Sequence, residues 1–215
     1  MSITLTEATF ADGVEELTQR DVDLAGVVKT YGRPPLWVRE PGFPTLVYII
    51  LEQQVSLASA KAAFDRLKAA VKPLTPKGFL KLNDVELLRM GFSRQKTLYT
   101  RLLAESLARG HFDLRYLHDL PDDSAHKMLV AFKGIGCWTA DIYLLSALGR
   151  PDIWPTGDLA LATAVQEVKR LRKRPSPEKL EALSAPWRPW RAVAARLFWH
   201  AYLSKRGRKS AAVSL

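Results

Sequence analysis

The stretch HKMLVAFKGIGCWTADIYLLSALG, residues 126–149, decides how the chain is read. An apolar helical pattern runs into Lys133-Gly134-Ile135-Gly136, and a second apolar helical pattern runs out of it. Two glycines in a G-x-G spacing allow a tight turn with positive φ and leave no side chain between the backbone and an approaching ligand. Amides at the start of the following helix then point outward, and the positive end of its dipole suits a phosphate. This is the grammar of a helix–hairpin–helix. Ile135 would tuck into the turn, while Lys133 and Thr139 could add contacts to a nucleic-acid backbone. Taken alone, Lys-Gly-Ile-Gly reads more readily as a plain connection between two core helices, and it is the flanking residues that reverse this.

Outward from the hairpin, Pro/Gly-rich punctuation at residues 32–35, 41–44, 73–78 and 154–157 cuts the chain into helical pieces. LVYIILEQQVSLASAKAAFDRLKAAV, residues 46–71, places Val47, Ile50, Leu51, Val55, Ala58, Ala62 and Phe64 at one-face spacing. It reads as one long helix, or as two with a break near Ser56. Asn83 or Asp84 can cap VELLRM, with Gly91 as its left-handed stop. Leu98, Leu102, Leu103 and Leu107 would line one face of the next helix, up to Gly110. Another helix starts at Pro121-Asp122 and ends at Lys133-Gly134. Strand-like alternation is scarce, and the best candidate is a weak one at Ser2 to Phe10. The expected fold class is therefore all-α. The expected divisions are an N-terminal segment, 1–42, packing with the C-terminal helices, a middle helical domain, 43–152, and a C-terminal helical domain with a basic tail, 153–215.

Composition narrows the function. The 215 residues carry 32 Lys and Arg against 22 Asp and Glu, a net charge of +10, which points to a polyanionic partner. A hydrophobic share of 47% and a charged share of 25% exclude wholesale disorder and a collagen-like repeat. The single cysteine, Cys137, excludes an internal disulfide framework, a four-cysteine zinc site and a cysteine-ligated iron–sulfur cluster. His111, His118, His126 and His200 show no metal-ligand spacing. The N-terminus lacks the order of a secretory signal, so an intracellular location is the default. The longest nearly uncharged stretch, Phe43 to Leu51, is far shorter than the roughly 20 residues that cross a bilayer, so no membrane span is expected.

Beyond the hairpin segment, four blocks occur in one order: Leu51 to Ala60, Gly91 to Lys96, Trp154 to Asp158, and Trp187 to Arg191. With Lys-Gly-Ile-Gly-Cys-Trp-Thr-Ala-Asp and the downstream Pro-x-x-Asp, they resemble the helix–hairpin–helix DNA glycosylases, in particular the alkylation-repair 3-methyladenine glycosylase II branch. The resemblance implies two helical subdomains with an active-site cleft between them. It also implies a compact form, without the N-terminal β-sheet domain that the branch often carries.

By the same resemblance Asp158 is the catalytic carboxylate, although an Asp after Gly at a helix start reads locally as an N-cap. The two roles are compatible, since capping holds a carboxylate still. Trp138 and Trp199 fall on aromatic pocket positions, where a Trp on an apolar helix otherwise reads as core. Ile142 and Leu159 fall on two further family aromatic positions, and Gln53 lies beside the same pocket. Gln54 takes the place of the wedge that fills the gap left by a flipped base; the plain alternative is two polar residues on an exposed helix face. Lys133, Gly134, Ile135, Gly136 and Thr139 would bind the DNA backbone. Main-chain carbonyls of Val130, Phe132 and Ile135 would hold a structural monovalent cation, Na or K. Trp138 stands where bifunctional relatives carry a nucleophilic lysine. Trp187 and Trp190 should pack the C-terminal helices, and the basic runs 169–174 and 205–209 should add diffuse attraction.

The implied activity is monofunctional: flipping alkylated purines out of damaged double-stranded DNA and hydrolysing the N-glycosidic bond, as a monomer, with no redox cofactor and no catalytic metal. Its rivals are a glycosylase for deaminated or oxidised bases and a non-catalytic helix–hairpin–helix module that only holds DNA.

Overall fold

The computed structural model describes residues 4–207, and among these all regular structure is helical, with no strand. The chain forms two compact units, one of residues Glu40–Tyr143 and one of the residues up to Arg39 with those from Leu144 onward. The middle unit thus ends earlier than the 152 expected from the sequence. The reason lies in the end of the second hairpin helix, whose carbonyls serve the other unit. Leu145 O accepts from Arg196 at 2.8 Å, and Ser146 O accepts from the Arg39 amide at 2.9 Å.

In the middle unit the apolar run from residue 46 is two helices, α3 (Phe43–Glu52) and α4 (Leu57–Ala70), and Ser56 caps the second by accepting from Ser59 N–H. Helix α3 is buried on all sides rather than along one face. The short α5 (Pro76–Phe79) precedes α6 (Asp84–Met90). Asn83 closes a capping box with Glu86 at the start of α6, and Gly91 ends that helix in the left-handed region at φ 102°. Helix α7 (Arg94–Ala108) buries Thr97, Thr100, Leu103 and Ala104. The expected leucine face is wrong in part, because Leu98 and Leu102 are 46% and 37% exposed. Small and β-branched side chains let α7 lie close on α3 and α5, which turns the leucines outward. A 3₁₀ turn at Leu114–His118 leads to α8 (Asp122–Val130), and α9 (Cys137–Ser146) follows the hairpin.

The other unit starts with α1 (Glu7–Arg20) and α2 (Val22–Tyr31). The strand considered for Ser2 to Phe10 does not form in its described part. Thr6 caps α1 with a capping box to Thr9, and Phe10, Val14 and Leu17 recur at helical spacing as its buried face. The unit continues with α10 (Leu159–Val168), α11 (Pro177–Ser184), a 3₁₀ turn at Ala185–Trp187 and α12 (Arg191–Lys205). Helix α12 packs on α1, α2 and α10, so the N-terminal segment lies against the C-terminal helices. Contact is close enough that a Cβ on Gly13 would sit 2.9 Å from the Trp190 ring. Trp187 packs at 5.3 Å from Trp154 and 5.0 Å from Phe198, centroid to centroid. No helix among the described residues is long and apolar enough to cross a membrane.

Candidate active site

The hairpin is built by the loop from Ala131 to Gly136. Ile135 N–H closes it onto Phe132 O at 3.0 Å, and the Ala140 amide makes the first helical bond of α9, to Gly136 O at 3.0 Å. Amides ahead of Ala140 therefore lie at the open start of that helix. Ile135 is buried at 3% exposure, so it presents main chain rather than side chain. The two glycines do different work. Gly134 has φ 95°, and a Cβ there would overlap the Cβ and ring of Tyr99, whereas a Cβ on Gly136 would meet nothing within 4 Å. Only Gly136 leaves bare backbone facing open space; Gly134 is required by its turn and by Tyr99. That corrects the expectation that both glycines clear the way for a ligand.

Lys133 is exposed within this loop. Thr139 is not available in the way expected: it is 1% exposed, and its hydroxyl accepts from Gln53 Nε2 at 2.9 Å. The same Gln53 nitrogen donates to Gly134 O at 2.9 Å. Gln53, expected beside the pocket, thus spends its amide bracing the hairpin from the turn after α3. Gln54 is exposed and adopts φ 56°, a left-handed conformation rare outside glycine. Trp138 is half-buried and Ile142 buried, both on α9. Among the described residues no cluster of His, Cys, Asp and Glu could hold a metal ion. Of the three carbonyls assigned to a cation, Phe132 O already accepts the Ile135 amide, which leaves it a second lone pair. Uncharged oxygens of this kind fit a hard monovalent ion.

In the other unit, Trp154 to Asp158 forms a tight loop: the Thr156 amide bonds Trp154 O at 2.9 Å and the Asp158 amide bonds Pro155 O at 3.0 Å. The Thr156 hydroxyl donates to Glu181, which also receives Arg191, itself anchored on Asp152. Asp158 then caps α10. Its Oδ1 accepts from the Leu161 amide at 2.6 Å and from the Trp199 indole N–H at 3.1 Å. The positive end of the α10 dipole lies at this carboxylate. Leu159, one residue on, is 67% exposed. The structure therefore joins Asp158 to Trp199 and, separately, Gln53 to Gly134 and Thr139. Tyr99, Lys96 and the Asp158–Trp199 bond were not foreseen; the sequence signal for Lys96 was the Gly91 to Lys96 block, which stops short of Tyr99.

The family model of the HhH-GPD superfamily, base excision DNA repair proteins, matches residues 47–189, well over half of the chain. The chain belongs to this superfamily. Among relatives, the putative DNA-3-methyladenine glycosylase YfjP of Bacillus subtilis is 26% identical over 184 residues, which cover 82% of this chain and 64% of that protein. The chain thus spans 64% of that relative's length. DNA-3-methyladenine glycosylase 1 of Schizosaccharomyces pombe is 28% identical over 202 residues, covering 86% of this chain and 88% of the yeast protein. The solved structure of the S. pombe 3-methyladenine DNA glycosylase Mag1 in complex with abasic DNA superposes with a TM-score of 0.82 at 25% identity, covering 91% of this chain and 97% of that one.

Proposed function

We propose that this member of the HhH-GPD superfamily is a monofunctional DNA glycosylase of base excision repair. It would extrude alkylated purines of the 3-methyladenine type from double-stranded DNA and hydrolyse the N-glycosidic bond to leave an abasic site. The observation that carries the reading is the Asp158 carboxylate held by a main-chain N–H and an indole N–H. The names of the similar glycosylases support the substrate class.

When the bond from C1′ to the purine nitrogen breaks, its electron pair leaves with the base and positive charge builds on the sugar. A purine that is already cationic through alkylation departs neutral. One carboxylate is then enough, with no second acid to protonate the leaving group. Asp158 stabilises the oxocarbenium-like transition state and orients the water that adds to C1′, accepting its proton. Because two donors fix the carboxylate beforehand, little reorganisation accompanies the reaction.

Trp138 and Trp199 offer electron-rich ring faces to a cationic purine, worth about 0.5–2 kcal/mol. Ile142 and Leu159 are apolar contacts of the extruded base, and Gln54 fills the gap it leaves. With Trp138 where a nucleophilic lysine would stand, no Schiff base forms and no strand is cut. Lys133 and the amides of Gly134 and Gly136 hold a phosphate, the Ile135 amide being taken by Phe132 O, and the Val130, Phe132 and Ile135 carbonyls would hold a monovalent cation that adds positive charge beside it. The reaction uses no redox cofactor or catalytic metal. The protein works as a monomer, inside the cell, on DNA.

Asp158→Asn is the decisive variant, because Asn caps a helix as well as Asp does and the fold should survive. Single-turnover release of 3-methyladenine from a methylated duplex is expected to fall about 100-fold or more. Release at the wild-type rate would remove Asp158 from the mechanism. A wild-type protein that binds the duplex but releases nothing would be a binding module.

A further inference from the structure

Lys96, on the first turn of α7, is a cation without an ion pair among the described residues. Its ammonium donates to Leu51 O at 2.7 Å and to Gln53 O at 2.9 Å. Partial burial lowers its pKa from the ordinary lysine value. A lysine free to reach solvent would escape that desolvation, so the two carbonyls must repay it. They lie at the C-terminal end of α3, where unpaired carbonyls and the negative end of the helix dipole gather. The next residue, Gln54, is exposed and held at φ 56°. From the other side, Gln53 Nε2 reaches Gly134 O and Thr139 Oγ1, both at 2.9 Å. Four hydrogen bonds from two side chains thus clamp the root of a turn whose tip is a strained, solvent-facing glutamine.

We propose that Lys96 is a positioning residue for base extrusion: by gripping the Leu51 and Gln53 carbonyls it presets Gln54 in its left-handed conformation, ready to enter the base stack. Gln53 ties the same turn to the phosphate-binding hairpin, so that grip and wedge move as one body. The inference rests on the reading of Gln54 as the wedge. A helix cap that served stability alone would leave extrusion untouched once the protein is folded.

The test uses the full chain and a duplex carrying a 2-aminopurine beside a non-cleavable abasic analogue, with fluorescence reporting local unstacking and melting temperature followed in parallel. Lys96→Met is expected to lower the unstacking equilibrium about tenfold, the usual scale for losing hydrogen bonds to a charged group. Gln54→Ala should give a similar loss. The double variant should be no worse than either single, because both act through one residue. Lys96→Arg should recover most of the signal. Lys96→Gln carries the same expectation as Lys96→Met and replaces it if that protein does not fold. Normal unstacking in folded Lys96→Met, with Gln54→Ala impaired, overturns the positioning role alone, as do losses that multiply in the double variant. Normal unstacking in Gln54→Ala overturns the wedge reading and the proposal with it.

Discussion

The indole N–H of Trp199 reaches Asp158 Oδ1 from 41 positions away, and its consequence is separable from that of the ring. Trp199→Phe keeps an aromatic face and leaves the Leu161 amide on the same oxygen. Base release should therefore fall about tenfold, the scale of one hydrogen bond to a charged group, and less than in Asp158→Asn. Single-turnover kinetics on a methylated duplex measure it, and a rate equal to wild type would reduce the bond to a structural one. The two hairpin glycines separate in the same manner. Gly134→Ala meets both a positive φ and the Tyr99 ring, and should cost about 2–4 kcal/mol in denaturant unfolding. Gly136→Ala meets nothing, so stability should hold while duplex binding weakens. Equal destabilisation by the two substitutions would contradict the division. The G-x-G spacing and the capping role of Asp158 were legible because both are local. The partners Tyr99 and Trp199 were not, since no local pattern says which distant ring will arrive.

At the scale of elements, the helix ends were easier to read than the helix faces. Asn83, Ser56 and Gly91 act within a turn of themselves, so their residue types nearly dictate their roles. The face of α7 depends on what lies opposite, and there close packing on small residues overrode the leucine spacing. Asp21, which the sequence reading passed over, caps α2 and is also the node that joins α2 to Lys169 after α10 and to the Trp187 indole, partners that no local pattern announces. Burial pushes the Asp21 carboxyl up, yet hydrogen bonds from Lys169 and Trp187, the Lys169 charge and the Leu24 amide together hold it below the ordinary carboxylate value. A depressed folded-state pKa contributes stability that is present above the unfolded value and lost as pH falls through the folded one. Wild-type melting temperature should therefore drop steeply below about pH 4. Asp21→Asn keeps a cap, should be less stable at neutral pH, and should show a shallower acid limb. Parallel acid limbs for the two proteins would show that this carboxylate does not govern it.

For the whole molecule, the +10 net charge says that a polyanion is attracted without saying where. Much of the positive charge is already committed internally. Lys169 is held by Asp21 and Asp23, Arg191 by Asp152 and Glu181, and Lys205 with Arg206 by Glu167. Arg196 is buried against three main-chain carbonyls. Exposed Lys133 at the hairpin and exposed Arg172, Lys173 and Arg174 remain open to DNA, while Arg208 and Lys209 of the last basic run lie outside the described residues. These two exposed groups should differ in kind. A lysine in contact with a phosphate releases bound counterions, so Lys133→Ala should shrink the slope of log K against log salt by about one and weaken binding at every salt concentration. Replacing Arg172, Lys173 and Arg174 together by Ala removes steering charge, so it should slow association most at low salt, with the difference closing as screening rises. Stopped-flow association with an undamaged duplex across a salt series reads both quantities. An unchanged slope in Lys133→Ala would take that lysine off the phosphate, and unchanged low-salt association in the triple variant would place the long-range attraction elsewhere on the surface.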